Sequence, residues 1–598
     1  MSRAAANSLA ASGWTLIFPA LAADDPEFSP CDGTTRPQTG KPPLGIANKI
    51  VATREGADES LPSVAARTAR GAAIEVWMRL AGQALDRARP LIAENLGEFE
   101  TPRAVIESFL EVIAGWSTYE TEADYENARG EAEQAVAARK VLRDFRQWTG
   151  APYRKSSLDG QRETILIDRE RGKRPDSLKQ LTRQLRLAPR EHLDGIGLVK
   201  RAAGNPEQFV PIARVAVEPW LSAALQYPSL LDEFRRLEVQ CKRYAVPHCQ
   251  LGVTPWLHRD TFRYDGEIFF EGQWPALEKE LGLREFCEAY VKPLFRNRLS
   301  LPEPHPYVAC LCADGDRMGA ALGRLNTPDG QSGLSRALAG FSLGVRDIVE
   351  KHHGLHVYAG GDDVVAFLPI IHAIPCAEDL RAAFVSAVRP VFRQTDEVAP
   401  TLSVGIGVAY YLTPLGKILD LARNAEHYAK NGDRLPEGDQ RNALGIIVDK
   451  RGGERIKWRA QWKPDLAPGA RIERLRDHLV ERRMPTTLPY ELRDVLKNMD
   501  KAENANDRVA GKAWRLEVLR ILARKALDAP DRNRKPQDFA NEIELMLPAP
   551  DDARVDSVRE ALAGWVYAAL VARAFADAQD NIRAVEKRGA ELEMGYDD

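Results

Sequence analysis

The sequence predicts an α+β protein of several domains, with a split βαβ unit near its middle and a helical bundle at its end. Three observations carry this. At 598 residues the chain exceeds what one hydrophobic core can organise, which implies about three to five domains. Between residues 305 and 449, short β-type apolar runs alternate with helical periodicity in the order βαββαβ, with an extra helix and strand appended. After Arg451 the apolar residues recur at helical spacing, as in Leu516, Leu519, Leu522 and then Leu562, Val566, Leu570, Val571.

At the N-terminus, Arg3, an apolar stretch from Leu9 to Leu21 and Ala20-Leu21-Ala22 imitate a signal peptide. Ser12, Gly13 and Pro19 interrupt that stretch, and the alternative is a short helix followed by a buried strand, Trp14 to Phe18. No other segment approaches the ~18 apolar residues of a membrane span. Residues 24–45 are rich in Pro, Gly and charge and read as a loop. From about 68 to 148 the pattern is helical, with Ile74, Trp77, Met78, Leu80 and Val105, Phe109, Leu110, Ile113 at three- and four-residue spacing. Residues 169–190 carry Arg169, Arg171, Lys173, Arg174, Lys179, Arg183, Arg186 and Arg190, either a solvated face or a surface for RNA phosphates.

Within the central unit, a strand (Tyr307–Ala313) leads into DGDRMG and a helix follows from about 333 to 352. A second strand (Leu355–Ala359) reaches Gly360-Gly361-Asp362-Asp363, and a third (Val364–Leu368) leaves it. A helix at 377–394, a strand at 402–411, a helix at 415–431 and a strand at 443–448 complete the pattern.

With 44% apolar and 28% charged residues the chain is ordinary for a globular protein, and a net charge of -3 excludes a global basic signature for nucleic acid. Seven cysteines without a CxxC argue for a reducing compartment and against a disulfide framework. Cys241, His248 and Cys249 fit no standard zinc spacing and read as buried thiols.

The chemistry gathers at Gly360-Gly361-Asp362-Asp363. Paired glycines suit a two-residue hairpin turn and let a phosphate approach the backbone. Consecutive carboxylates at such a tip call for neutralisation, which a divalent metal bound to a nucleotide supplies. The tetrapeptide alone is either a turn or a site. Asp314, at the end of the first strand, lies beside that hairpin in a βαββαβ unit, and strand-end carboxylates there can hold two Mg²⁺ ions about 3.5–4 Å apart. Asp316, two residues on, is either a group supporting the metal-binding acids from behind or a helix cap, and the cap is the favoured reading. Lys430, near the end of the 415–431 helix, is either a solvated helix-end lysine or a contact to a triphosphate.

Together the motifs resemble the large polymerase-cyclase subunit of type III CRISPR effector complexes, in the type III-B (Cmr) lineage. The resemblance runs through GWTLIFPA at 13–20, ANKIVA at 47–52, SLDGQRE at 157–163, LVKRAA at 198–203, CADGDRMG at 312–319, AGGDDVVAFLP at 359–369, SVGIGVAYYLTPL at 403–415 and AKNGDRLPEGDQRNAL at 429–444. It implies two ferredoxin-like palm domains with helical insertions and a C-terminal helical bundle. The corresponding division is 1–215, a first palm-like domain with a degenerate zinc-site region; 216–300, a helical linker domain; 301–450, the GGDD palm; and 451–598, the bundle.

The resemblance further implies that Asp314, Asp362 and Asp363 bind Mg²⁺ or Mn²⁺, that Gly360 and Gly361 form the nucleotide-approach turn, and that Lys430 contacts the nucleotide. The implied reaction joins ATP into cyclic oligoadenylates when a complex of guide RNA and other subunits holds target RNA, in the cytoplasm and away from membranes. The chain departs from the resemblance in three places. No His-Asp dipeptide occurs, so no HD nuclease is expected. Ser156-Ser157-Leu158-Asp159-Gly160 and Leu193-Asp194 stand where zinc cysteines belong, so no zinc is expected, and Asp159 and Asp194 are expected to pair with basic side chains. The chain also starts close to GWTLIFPA, so the first palm is trimmed or reduced; that match returns the segment to the fold rather than to a signal peptide. Rival readings are a diguanylate-type cyclase, whose motif has Glu-Phe where Asp363-Val364 stands, a synthase of another ATP-derived product, and a non-catalytic scaffold.

Overall fold

A computed structural model describes residues 1–598 except 21–47, 57, 59, 95–101, 143–151, 169–173, 186, 189, 204–208, 251–252, 258–260, 297–298, 394–397, 433–435, 437, 439, 463–466, 500–506, 528–537 and 595–598. The 24–45 loop, Cys31 and much of the basic run at 169–190 therefore lie outside the described residues.

The organising element is a six-stranded sheet in the order β4-β5-β3-β6-β7-β8. Its strands are β3 (Tyr307–Gly315), β4 (Leu355–Gly360), β5 (Asp363–Pro369), β6 (Leu402–Tyr410), β7 (Ala443–Asp449) and β8 (Arg455–Gln461). The first four pair antiparallel in ferredoxin-like order, and β7 joins β6 in parallel. β8 was not expected; the sequence read as helical after Arg451. Arg455 and Lys457 are exposed and Ile456 and Trp458 buried, a two-residue alternation too short and too basic to stand out. The sheet thus extends past residue 450.

Alternation along β3 explains its near-continuous apolar run. Ala309, Leu311 and Ala313 join the core on one face, while Val308, Cys310 and Cys312 join the core on the other. The helices that bear on the sheet are labelled in chain order: α1 (Ser2–Ala11), α2 (Leu61–Ala88), α3 (Tyr125–Val141), α4 (Ile212–Ala224), α5 (Met318–Arg324), α6 (Pro328–Lys351), α7 (Ala373–Arg393), α8 (Leu415–Asn431) and α9 (Val555–Met594). α6, α7 and the C-terminal helices cover the first face, whereas α8 and the residues around α4 cover the second. The expected boundary between 215 and 216 falls inside α4, whose Val215, Val217, Trp220 and Leu221 share a core with β3 and β6.

α8 lies unusually close to the sheet. A Cβ on Gly407 would meet the backbone of Ala422 at 2.7 Å, and one on Gly405 or Gly445 would overlap the backbone of Glu426 or Ala425. Glycines at three facing positions let the helix sit backbone-to-backbone on β6 and β7.

In the first 215 residues the described strands are β1 (Thr15–Phe18) and β2 (Val51–Thr53), an antiparallel pair rather than a ferredoxin-like sheet. α1 and β1 are the short helix and strand anticipated in place of a signal peptide. Ala20 N donates to Ser335 Oγ at 2.8 Å, and Tyr125 Oη to Gln331 Oε1 at 2.9 Å, so β1 and α3 both dock on α6. The helical reading of 68–148 fails between Glu107 and Thr121. There the chain crosses α3 with Gly115 against Ala132, where a Cβ would stand 2.6 Å from a carbonyl oxygen.

Among the described residues, Asp159 and Asp194 form no ion pair with a basic group. Asp194 caps the helix Gly195–Ala202 by accepting from Gly197 N at 2.8 Å, and Asp159 accepts from Gln161 N at 3.0 Å. Both satisfy local backbone donors that would otherwise lack partners. α9 is long and apolar enough to cross a membrane by composition alone, contrary to the sequence expectation. Its Val558, Leu562, Trp565, Val566 and Phe575 are buried in the core instead, as in the centre of a helical bundle.

Candidate active site

Three strand ends meet at one edge of the sheet. β3 delivers Asp314, paired in register with Ser403 of β6. Its side chain continues the Cys310 and Cys312 face, the one covered by α8. Gly360 of β4 pairs with Asp363 of β5, leaving Gly361 and Asp362 as the two loop residues of a tight hairpin. Gly361 alone of the glycine pair has a left-handed φ, 72°, as the first central residue of a type II′ turn requires. Ser342 Oγ, buried on α6, donates to Gly361 O at 3.0 Å and anchors the turn from behind.

The role of the other glycines is steric. A Cβ on Gly315 would stand 2.7 Å from Asp362 Oδ2, so the Asp362 carboxylate packs directly on the backbone next to Asp314. A Cβ on Gly360 would overlap the Tyr358 phenol, which folds over that residue.

These contacts crowd like charges together, and the acidities record it. Burial first, then the Asp314 charge, raise Asp362 from 3.8 to about 6. The same two causes raise Asp363, opposed by Arg423 and Lys430. Burial and the charges of Asp363 and Asp362 raise the Tyr358 phenol. The countercharge comes from α8: Lys430 Nζ donates to Asp314 Oδ2 and reaches Glu426 Oε1 at 2.8 Å. Burial disfavours the Lys430 ammonium, but those two carboxylates outweigh it and hold its pKa above the ordinary lysine value.

All six predicted site residues therefore fall in one region, with Lys430 already engaged by an acid rather than exposed. Glu426, Arg423, Ser342 and Tyr358 were missed. The first two lie four and seven residues before Lys430, a helical spacing that could have flagged them. Tyr358 lies two residues before Gly360, on the same face of β4. Asp316 was expected to cap a helix; it is buried, and Arg317 stands at the cap position of α5.

Among the described residues, no three His, Cys, Asp or Glu side chains already stand at ligating positions around one point. Asp314 is turned to Lys430 instead. The donors still fit a hard divalent cation: they are carboxylate oxygens, two of them held above their ordinary pKa by burial and by the Asp314 charge, and the Lys430 ammonium stands in for a cation. Because the fold raises the Asp362 carboxyl, its ionisation weighs against the folded state as pH climbs from about 4 to 6. In metal-free buffer at about pH 7.5, Asp362→Asn is expected to melt above the wild type, and the gap should close as pH falls through that window. A gap that does not vary with pH would refute this account of the site's charge.

Residues 307–444 match the family description of the Cas10/Cmr2 second palm domain. This segment is similar to a Cas10/Cmr2 palm. The match spans β3 through the start of β7 and contains every predicted site residue. The chain is also similar to the CRISPR system Cmr subunit Cmr2 of Pyrococcus furiosus, 31% identical over 229 residues, covering 33% of this chain and 25% of that protein. It thus spans about a quarter of the length of that curated relative. A type III-B Cmr-beta structure in the apo state superimposes with a TM-score of 0.53 at 11% identity, covering 82% of this chain and 66% of that one. At that identity the likeness concerns the fold alone, and it extends beyond residues 307–444.

Proposed function

We propose that this chain is the signalling subunit of an RNA-guided antiviral complex of type III-B, and that its Cas10/Cmr2 palm joins ATP into cyclic oligoadenylates when target RNA binds. The observation that carries the reading is the convergence of Asp314, Asp362 and Asp363 on one sheet edge, with a raised Asp362 and a lysine from α8 as the countercharge.

Asp314, Asp362 and Asp363 would hold Mg²⁺ or Mn²⁺. Such ions, when bound, lower the pKa of a ribose 3′-hydroxyl and neutralise charge on the α-phosphate and leaving pyrophosphate. Gly361, without a side chain, admits the phosphates to the turn, and Ser342 keeps that turn in place. Lys430, released from Asp314, would turn to the triphosphate, with Glu426 orienting it. The residues before α4 would correspond to a first, reduced palm, and the C-terminal helices to a bundle facing the other subunits. Guide and target RNA would be met through the complex, in the cytoplasm. No zinc and no HD nuclease activity are part of this reading.

The test is to incubate the complex with guide RNA, matching target RNA, Mg²⁺ or Mn²⁺ and labelled ATP, and to identify products by mass spectrometry. Target-dependent cyclic oligoadenylates are expected. Another ATP-derived product would keep the site and change the substrate assignment, and no product from a verified, RNA-bound complex would leave a scaffold.

A further inference from the structure

Asp316 stands two residues beyond Asp314 but outside the acidic cluster, and it is only 3% exposed. Its carboxylate accepts from Thr401 Oγ1 at 2.6 Å, from Ser403 Oγ at 2.8 and 3.0 Å, and from the Asn442 backbone N–H at 2.9 Å. Its own N–H donates to Thr401 O at 2.7 Å. A buried carboxylate is costly unless its oxygens are satisfied, and these hydroxyl and amide donors satisfy both of them.

What this carboxylate holds is strained. Arg317, Arg441 and Asn442 have φ of 56°, 63° and 42°, left-handed backbone in residues other than glycine. Such conformations persist where surrounding structure over-determines them. Arg441 N donates to Lys430 O at 2.7 Å, and its neighbour Asn442 donates to Asp316. One side chain therefore joins the end of β3 bearing Asp314, the start of β6, and Asn442 at the entry to β7, whose neighbour Arg441 bonds the Lys430 carbonyl.

We propose that Asp316 is a positioning residue: its buried carboxylate clamps these three segments and fixes where Asp314 and Lys430 stand relative to each other. The inference rests on the nucleotidyl-transfer reading. Asp314 has to leave Lys430 to meet a cation, and the clamp holds the backbone on both sides of that exchange. A helix cap would act only on α5, whereas this clamp acts on residues 85 and more positions away in the chain.

The test uses two probes: Mn²⁺ binding by the full chain, read by electron paramagnetic resonance, and the Mn²⁺ dependence of ATP-derived product from the complex holding guide RNA and matching target RNA. Asp316→Asn keeps the shape but turns an amide toward the incoming donors, and should weaken Mn²⁺ binding by about 10- to 100-fold. Thr401→Val removes one donor at constant volume and should weaken binding in the same direction, while Thr401→Ser restores it. Unchanged Mn²⁺ affinity in folded Asp316→Asn, or a wild type that binds no Mn²⁺, overturns the proposal. Should Asp316→Asn fail to fold, the Thr401 pair decides: equal effects of valine and serine also overturn it. A wild type that binds Mn²⁺ but forms no product sinks the functional reading alone, because the Mn²⁺ affinities still judge Asp316.

Discussion

Replacing Asp362 and Asp363 together by alanine is expected to abolish formation of any nucleotide product while leaving the chain folded. The loss is large because the change removes two of the three carboxylates and strands the third, Asp314, in its pairing with Lys430. Electrostatic groups aimed at developing charge are each worth roughly 10²–10³ in rate, so the double variant should fall by at least about 10³-fold. Stability should not suffer. Burial holds both carboxyls above their ordinary pKa, so at neutral pH their charges oppose folding. The Gly361 carbonyl still receives Ser342, so the turn keeps its anchor. The check is product by mass spectrometry beside a melting curve; wild-type product from the double variant would remove the acids from the chemistry.

The second large effect comes from a residue that touches no substrate. Gly405→Ala is expected to destabilise the palm and disable the site together, because the added methyl would overlap the backbone of Glu426 on α8. Backbone cannot swing aside as a flexible side chain can, so the cost should reach or exceed the upper part of the usual overpacking range, about 1–3 kcal/mol. Displacing α8 also carries Glu426 and Lys430 away from Asp314. Gly416→Ala, on the same helix with open space around it, is the matched control and should be neutral. Equal melting temperatures for the two variants would show that α8 is not seated as described.

The core of the palm was legible because its signals are local. The apolar run at 307–313, the glycine hairpin and the helical periods of α6, α7 and α8 each express one period along one segment. The acidic trio followed, since the βαββαβ order alone puts the end of the first strand beside the central hairpin. Asp316 was misread for the opposite reason. Next to a helix start it looks like a cap, and nothing nearby in sequence reveals Thr401, Ser403 or Asn442 as its partners. β8 was missed because its buried pair, Ile456 and Trp458, is framed by basic residues in a region otherwise periodic as helix. The left-handed backbone at Arg441 and Asn442 likewise has no glycine to announce it.

The two halves of the acidic cluster are tethered from opposite sides of the sheet. Ser342 grips the hairpin from α6, and Lys430 grips Asp314 from α8. β1 and α3 press on α6, while the residues around α4 share a core with α8. In engineering terms the carboxylates sit in the jaws of a vice whose two screws are turned by different parts of the chain. The gap between Asp314 and the hairpin is therefore bounded by one contact from each layer, and its width is set by how both layers are seated.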